Sequence, residues 1–492
     1  MNILMVYPQY PVTFWSFKYI LKYISKKAAF PPLGLITVAS MLPDDWNVCL
    51  VDLNVKKLKD KDLEWAEYVM ISAMLVQKES VNEILHRCQN MGKKVIAGGP
   101  LFNVTPEEYM NLVDHLILNE AEHSLPPFLA DLKNGNPRKV YRSSDFPELI
   151  LTPTPNWELI NVKNYASLMI QYSRGCPFNC DFCGVTAMFG HNPRLKSIDQ
   201  FLGELQAIYD TGWRGSVFIV DDNFIGNKRV IKNMLPELIN WMKAHNYPFS
   251  FFTEASINIA DDEELINLMV KAGFDSVFIG IETPDEDSLK ECAKHQNCKL
   301  DMSAAIKKLQ VKGLQVLGGY IVGFDNDNES IFARQIKFIQ ETGVVTAMVG
   351  LLNALPNTKL WQRLKDEDRL DLCSSGNNTD GSINFIPRMD KTKLIEGYRN
   401  IIKTIYSPRH YYQRVCNFLE HYKPYRKKRI KYVQIKAFFK SIFYLGILGN
   451  GVSQWYYWKM MFNTIIFYRE SFSEAMTMMV YGHHFRKIAK KI

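Results

Sequence analysis

Short apolar runs rich in Val and Ile recur through the first third of the chain, at Ile3–Tyr7, Val48–Leu53, Tyr68–Ala73, Lys94–Ala97 and His115–Leu118. They are apolar at consecutive positions, the pattern of a parallel strand covered on both faces. Between them lie segments with helical spacing. Leu33–Leu42 is entered through Pro31-Pro32, and Ser80–Met91 stops at Gly92, since glycine takes the left-handed turn that ends a helix. Strands alternating with helices predict a doubly wound, Rossmann-like α/β sheet over residues 1–145. The stretch Gln9–Phe30, between the first strand and its helix, is long for such a fold. Long loops at the carboxyl ends of strands tend to carry function.

Residues 146–165 contain Pro147, Pro153 and Pro155 with little periodicity and read as a linker. Over 166–360 one grammar repeats: helix, glycine, strand. It occurs at Ser197–Asp210 with Gly212 and Ser216–Val220, and at Asp261–Ala272 with Gly273 and Ser276–Ile281. It returns at Asp301–Lys312 with Gly313 and Leu314–Val322, and at Ser330–Thr342 with Gly343 and Val344–Leu351. Asp261 and Glu264 have capping-box spacing. With Leu168–Tyr172 and Phe249–Thr253 the repeats predict a partial (β/α)6 TIM-like barrel, whose chemistry belongs at the carboxyl ends of the strands. Residues 361–492 turn aromatic, basic and helical, with Phe438, Phe439, Ile442, Phe443, Tyr444 and Leu445 following the basic run Arg426–Lys431.

The 492 residues are 47% hydrophobic and 22% charged, a globular composition that excludes wholesale disorder. The N-terminus runs straight into a strand pattern with no signal-peptide features, and no apolar run spans a bilayer cleanly. Nine cysteines, an odd number, argue against a disulfide framework and for a reducing, cytoplasmic setting. The net charge of +8 is uneven: residues 401–492 hold 17 Lys/Arg against 3 Asp/Glu, so the tail carries +14. Basic residues beside aromatic ones fit a helical cap on the substrate with peripheral contact to an anionic inner-membrane surface. Nucleic acid is not expected as a partner.

Three cysteines stand apart, in Arg174-Gly175-Cys176-Pro177-Phe178-Asn179-Cys180-Asp181-Phe182-Cys183. Thiolates this close favour a thiophilic centre. Iron–sulfur clusters commonly use four cysteines, and no fourth lies nearby, so a cube on Cys176, Cys180 and Cys183 leaves one iron open to a small molecule. The alternative is a structural Cys3His zinc site completed by His191, in a zinc-stabilised, membrane-associated binding protein.

The C-x3-C-x2-C spacing, with aromatic Phe182 before the last cysteine, resembles the radical S-adenosylmethionine superfamily. That resemblance implies a 4Fe–4S cluster whose open iron chelates S-adenosylmethionine, an electron donor such as flavodoxin or ferredoxin, and a 5′-deoxyadenosyl radical. It also implies S-adenosylmethionine contacts at Phe182, at Glu254 and Ser256 after the third barrel strand, at Glu282 after the fourth, and at Gly319, Ile321 and Gly323. Where the superfamily commonly has Gly-Gly-Glu, the chain reads Val220-Asp221-Asp222-Asn223-Phe224. This leaves the amino-group ligand open among Asp221, Asp222 and Asn223, and resembles the cobalamin-dependent branch.

Residues 1–145 are similar to that branch's cobalamin-binding domain. The segments Ile71-Ser72-Ala73-Met74, Ala97-Gly98-Gly99-Pro100 and Asn119-Glu120-Ala121-Glu122 end strands, where doubly wound sheets bind ligands. The resemblance implies cobalamin contacts at Ser72, Ala73, Gly98, Gly99, Pro100, Asn119 and Glu120, and at Tyr10 and Trp15 of the long first loop. The Asp-x-His-x-x-Gly motif that supplies a lower cobalt ligand is absent from the sequence. Either cobalamin binds without a protein ligand from below, or it is not bound. Trp15-Ser16-Phe17-Lys18-Tyr19 and Pro31-Pro32-Leu33-Gly34-Leu35 are similar to a subgroup that includes hopanoid methyltransferases. The expected activity is methylation of an unactivated carbon of a lipid or other hydrophobic substrate, with a non-methylating rearrangement, cyclisation or carbon–carbon coupling as the alternative.

Anaerobic iron and sulfide analysis checks the cysteine assignment. Both elements are expected in the wild-type protein and neither in Cys180→Ala, whereas zinc without sulfide would end the radical reading.

Overall fold

The computed structural model describes residues 1–371, 374–426 and 432–492. Cys373 and residues 427–431 of the basic run lie outside them. The first sheet holds β1 (Asn2–Tyr7), β2 (Asn47–Asp52), β3 (Tyr68–Ser72), β4 (Lys94–Gly98), β5 (His115–Leu118) and β6 (Val140–Arg142). All neighbours are parallel, in the order β2-β1-β3-β4-β5-β6. The order reverses between β1 and β3, as a doubly wound sheet requires. Strand β6 escapes the sequence pattern. It is a three-residue edge strand with only Tyr141 buried, so it carries no apolar run.

The linker is ordered. It makes three single 3-10 turns, Leu149–Leu151, Trp157–Leu159 and Val162–Asn164. Gln200 Nε2 donates to the carbonyls of Leu149 (3.0 Å) and Thr152 (2.7 Å). The buried Tyr165 hydroxyl donates to Asp52 at 2.9 Å.

The second sheet holds β7 (Ser167–Ile170), β10 (Ser216–Ile219), β11 (Ser250–Glu254), β12 (Phe274–Glu282), β13 (Gln315–Val322) and β14 (Thr346–Leu351). They pair in parallel in chain order, with β7 and β14 at the two edges, which is the six-unit partial barrel. A short antiparallel pair, β8 (Ser173–Arg174) and β9 (Arg194–Leu195), brackets the cysteine loop. Before β12, helix Glu263–Ala272 is capped by Asp262, whose carboxylate accepts from Leu265 N–H at 3.1 Å. The cap therefore falls one residue after the expected Asp261, which closes a preceding 3-10 turn.

The C-terminal region is a set of helices, Lys391–Ile405, Pro408–His421, Tyr432–Ser441, Gly451–Phe467 and Phe472–Ala489, with a π-helical turn at Ile442–Ile447. It covers the free edge of β14. The Tyr406 hydroxyl donates to the Ala347 carbonyl and accepts from the Ala347 N–H. Arg414 is fully buried beside it and donates to the carbonyls of Ile405 and Val345 and to Gln340 Oε1. Its guanidinium also lies over the rings of Tyr406 and Tyr411. Facing outward are two apolar rows. Ile435, Phe439, Phe443 and Ile447 form one, and Val452, Trp455, Phe462 and Ile466 the other. The first row runs from helix Tyr432–Ser441 into the π-helical turn, and the spacing of the second puts it on one face of Gly451–Phe467.

The two sheets meet through ion pairs. Glu120 and Glu122 follow β5, and Arg174 and Arg194 sit opposite each other on β8 and β9. Both Arg194 terminal nitrogens bond Glu120, at 2.7 and 3.0 Å, and Arg174 bonds both glutamates. Side-chain exposure is 13% or less for all four. Burial pushes Glu122 up, but Arg174 and the Thr152 hydroxyl outweigh it and hold the carboxyl below its ordinary value.

Removing one partner from such a group leaves a buried charge uncompensated. Arg194→Ala is therefore expected to lower unfolding stability by about 3 kcal/mol, measured by urea unfolding under anaerobic conditions. A loss within about 0.5 kcal/mol, the range of ordinary surface substitutions, would refute a buried clamp.

Candidate active site

The cysteine loop is tied at both roots. Asp221 and Asp222 follow β10. Asp221 is fully buried, and its carboxylate accepts from Tyr172 N–H (2.7 Å), Ser173 N–H (2.8 Å) and the Ser173 hydroxyl (2.6 Å). Burial pushes Asp221 up to about 7 against those bonds. Asp222 accepts from Gly175 N–H at 2.9 Å. Gly175 turns with φ +98°, and a Cβ there would lie 3.1 Å from the carbonyls of Phe189 and Gly190, so only glycine suits the turn. Farther along, Asp181 N–H donates to the Cys292 carbonyl (3.1 Å) and Leu360 N–H to the Asp181 carbonyl (2.9 Å).

Cys176, Cys180 and Cys183 are free and half-buried on this loop. Burial pushes the Cys176 thiol up and the Cys183 thiol to about 12. Thiols in this state lose their protons to a metal that takes the sulfur. A tetrahedral zinc needs four donors converging on one point. His191, the fourth donor of that alternative, is exposed. A cube gives each thiolate its own iron, which suits three separated sulfurs on one loop.

Around the sulfurs the structure brings together side chains that the sequence did not single out. Gln296 Nε2 lies 3.7 Å from Cys180 Sγ. Glu282, at the end of β12 with φ +63°, pairs with the buried Lys294. Burial lowers Lys294, but Glu282 and then Cys180 outweigh it and raise it well above its ordinary value. Lys294 Nζ also stands 5.9 Å from the centre of the Phe182 ring. Donors and charges beside a cluster sulfur tune such a centre.

The other expected S-adenosylmethionine contacts line the same end of the barrel. Asn223 and Ser256 bond each other across the ends of β10 and β11, at 3.2 and 3.3 Å. Glu254 is half-buried, and burial followed by the Asp222 charge pushes it up to about 8. It has no ion-pair partner among the described residues. On β13, Gly319 and Ile321 share a face, and the space of a Gly319 side chain is taken by the Phe278 ring, 2.9 Å from where its Cβ would stand. Gly323 turns with φ +110°. Its N–H donates to Asp327 (2.8 Å), a buried carboxyl that also holds Phe324 N–H and the Ser288 hydroxyl.

On the first sheet, Ser72, Ala73, Gly98, Gly99, Pro100 and Asn119 gather at the carboxyl ends of β3, β4 and β5. Gly99 has φ +90°, and a Cβ there would stand 2.5 Å from the Ser72 hydroxyl. Tyr10 bonds the Tyr7 hydroxyl and Met74 Sδ beside them. This edge of glycines and small residues presents backbone to a flat ligand, so the residues present fit a corrin. Two further expected contacts also bond or pack across to the second domain. Glu120 is held by Arg174 and Arg194. Trp15 packs on Phe278 of the barrel with ring centres 5.1 Å apart.

Comparison with known proteins finds matches in three stretches of the chain. The B12 binding domain family matches residues 24–129, the Radical SAM superfamily residues 170–339 and a domain of unknown function residues 358–492. An uncharacterized methyltransferase of Synechocystis sp. is 40% identical over 99% of this chain and 91% of its own length. The hopanoid C-2 methylase of Rhodopseudomonas palustris is 32% identical over 98% of this chain and 92% of its own length. The cobalamin-dependent radical enzyme OxsB, solved with aqua-cobalamin, superposes with a TM-score of 0.65 at 15% identity, covering 100% of this chain and 80% of OxsB. The methyltransferase TsrM from Kitasatospora setae gives 0.65 at 12% identity, covering 98% and 99%. Together with the cysteine loop and the glycine-lined sheet edge, these full-length relatives show that the chain belongs to the cobalamin-dependent radical S-adenosylmethionine methyltransferase family, whose cofactors are a 4Fe–4S cluster, S-adenosylmethionine and cobalamin.

Proposed function

We propose that this enzyme methylates an unactivated carbon of a lipid-class substrate while resting on a membrane surface. The observation that carries the reading is the likeness to the hopanoid C-2 methylase, which runs through nearly the whole chain and so includes the C-terminal helices with their outward apolar rows. When bound, the cofactors supply a hydrogen-abstracting radical and a transferable methyl group.

In this reading Cys176, Cys180 and Cys183 hold the cluster. Phe182, Asp222, Asn223, Glu254, Ser256, Glu282, Gly319, Ile321 and Gly323 surround S-adenosylmethionine. Asp222 and Glu282 act through Gly175 and Lys294, to which they are bonded. Tyr10, Ser72, Ala73, Gly98, Gly99, Pro100 and Asn119 hold the corrin. Trp15 and Glu120 serve the arrangement from outside, one in the barrel wall and one in the clamp. The apolar lining suits a hydrophobic substrate and excludes water from a reactive radical. Phe218 and Phe252, on the adjacent barrel strands β10 and β11, stack at 4.4 Å, with Phe30 against both. An external one-electron donor such as flavodoxin or ferredoxin completes the system.

No described helix is long and apolar enough to cross a membrane. The contact proposed is peripheral, through Phe439, Phe443, Trp455, Phe462 and Ile466, all exposed. Aromatic and aliphatic side chains flanked by lysines suit the interface of an anionic bilayer.

Reconstituted enzyme given S-adenosylmethionine, cobalamin, a reductant and membrane lipid extract is expected to release 5′-deoxyadenosine and a lipid heavier by one methylene unit, read by mass spectrometry. Release of 5′-deoxyadenosine with lipids of unchanged mass would sink the lipid assignment.

A further inference from the structure

A cavity of about 410 Å³ opens in the C-terminal region, in the part that matches a domain of unknown function. Its walls come from four helices and from the turn after Ile447. Part of its lining is aromatic and apolar: Tyr406, Tyr457, Leu445 and Met479, all nearly inaccessible. Lys403, Arg486, Lys487 and Lys490 also line it, with His483 among them. No carboxylate lines the cavity.

These cations lack counter-charges. Among the described residues none of the four forms an ion pair, and Arg486, though half-buried, makes no hydrogen bond through its guanidinium. Lys22 adds a further cation beside the cavity, 4.0 Å from the centre of the Tyr444 ring. Burial pulls Arg486 below its ordinary value. Burial and then the charges of Arg486, Lys22 and Lys487 push His483 down to about 4, so it is neutral near pH 7. Arg486 is the inward cation and Lys403, Lys487 and Lys490 are exposed around it; like charges gathered at one opening repel, and an anion would relieve that repulsion.

The shape narrows the choice of anion. Guanidinium and ammonium groups together match phosphate. A space of this size is that of a small-molecule site, roomy for inorganic phosphate alone, and part of its lining is apolar. The mouth connects to the apolar rows: Leu448 lines the cavity yet is 62% exposed, between Ile447 of one row and Val452 of the other.

We propose that this cavity binds the phosphate headgroup of an anionic phospholipid drawn from the membrane. The assignment rests on the peripheral contact proposed above, and adds to it a specific site with Arg486 at its centre. Lipid selectivity then comes from the cavity, and general adhesion from the apolar rows.

Calorimetry with the full-length protein and soluble short-chain lipids below their micelle concentration reads the cavity without a bilayer. Dihexanoyl phosphatidylglycerol is expected to bind, and dihexanoyl phosphatidylcholine and inorganic phosphate to bind more weakly. Arg486→Gln should weaken the phosphatidylglycerol by about fivefold, from ~1 kcal/mol per cation. The double variant Lys487→Gln/Lys490→Gln, whose side chains are exposed and whose folding is not at risk, should weaken it further. Equal binding of the two lipids, phosphate binding as tightly as phosphatidylglycerol, or unchanged affinity in the double variant would each overturn the assignment. Sedimentation with phosphatidylcholine vesicles reads the apolar rows separately. Phe462→Ser/Ile466→Ser should release the protein from vesicles and leave short-chain phosphatidylglycerol binding intact. If the wild-type protein ignores all vesicles yet selects the short-chain anionic lipid, the peripheral contact fails and the headgroup site stands.

Discussion

Arg174 precedes the cysteine loop by two residues, and its guanidinium is bonded across the domain boundary to Glu120 and Glu122. Arg194, opposite it on β9, closes on the same Glu120. The strand ends of the first sheet are thereby fixed against the end of the first barrel strand. Cofactors bound at these two facing edges would have to act on one substrate, and small displacements between reacting groups are expensive in rate. The clamp is one of two restraints on the loop. Asp221 and Asp222 hold the backbone of residues 172–175 from inside the barrel, so the loop is pinned from both of its neighbours.

A second tie runs through the long first loop. Phe14 and Phe17 leave the first sheet and pack on Phe485 and His484 of the last helix. The buried His484 Nε2 meets the Phe14 carbonyl at 3.0 Å. Trp15, between them, turns to the barrel. One short segment thus contacts all three parts of the molecule, which gives a physical reason for its length.

What the sequence revealed was what local chemistry writes down. Strands buried on both faces show as continuous apolar runs, glycines mark where helices stop, and three cysteines within eight residues declare a metal centre. What it hid was partnership at a distance. Arg174 and Glu120 are 54 residues apart, and Arg194 and Glu120 are 74, and nothing local marks either pair. Glu282 stood out as a strand-end carboxylate, while Lys294, which neutralises it, did not. Trp15 was legible as an aromatic in a functional loop, but the wall it would join was not. Strand β6 was too short and polar for a periodicity to register, and neighbouring aspartates at 261 and 262 made the helix cap ambiguous by one position. The cationic cavity was foreshadowed only as a bulk charge, since Lys403 of one helix joins Arg486, Lys487 and Lys490 at the end of another only in the fold.

The Tyr406 hydroxyl satisfies both backbone groups of Ala347 on the last barrel strand. An open barrel has an exposed edge, and an exposed edge is a template for pairing with another chain. The helical region therefore does more than sit beside the catalytic domains, because it guards them from self-association. Recombination that swapped this region for an unrelated one would leave a sticky β14 unless the newcomer brought its own group for Ala347. The helical region and the barrel are thus constrained to be inherited together.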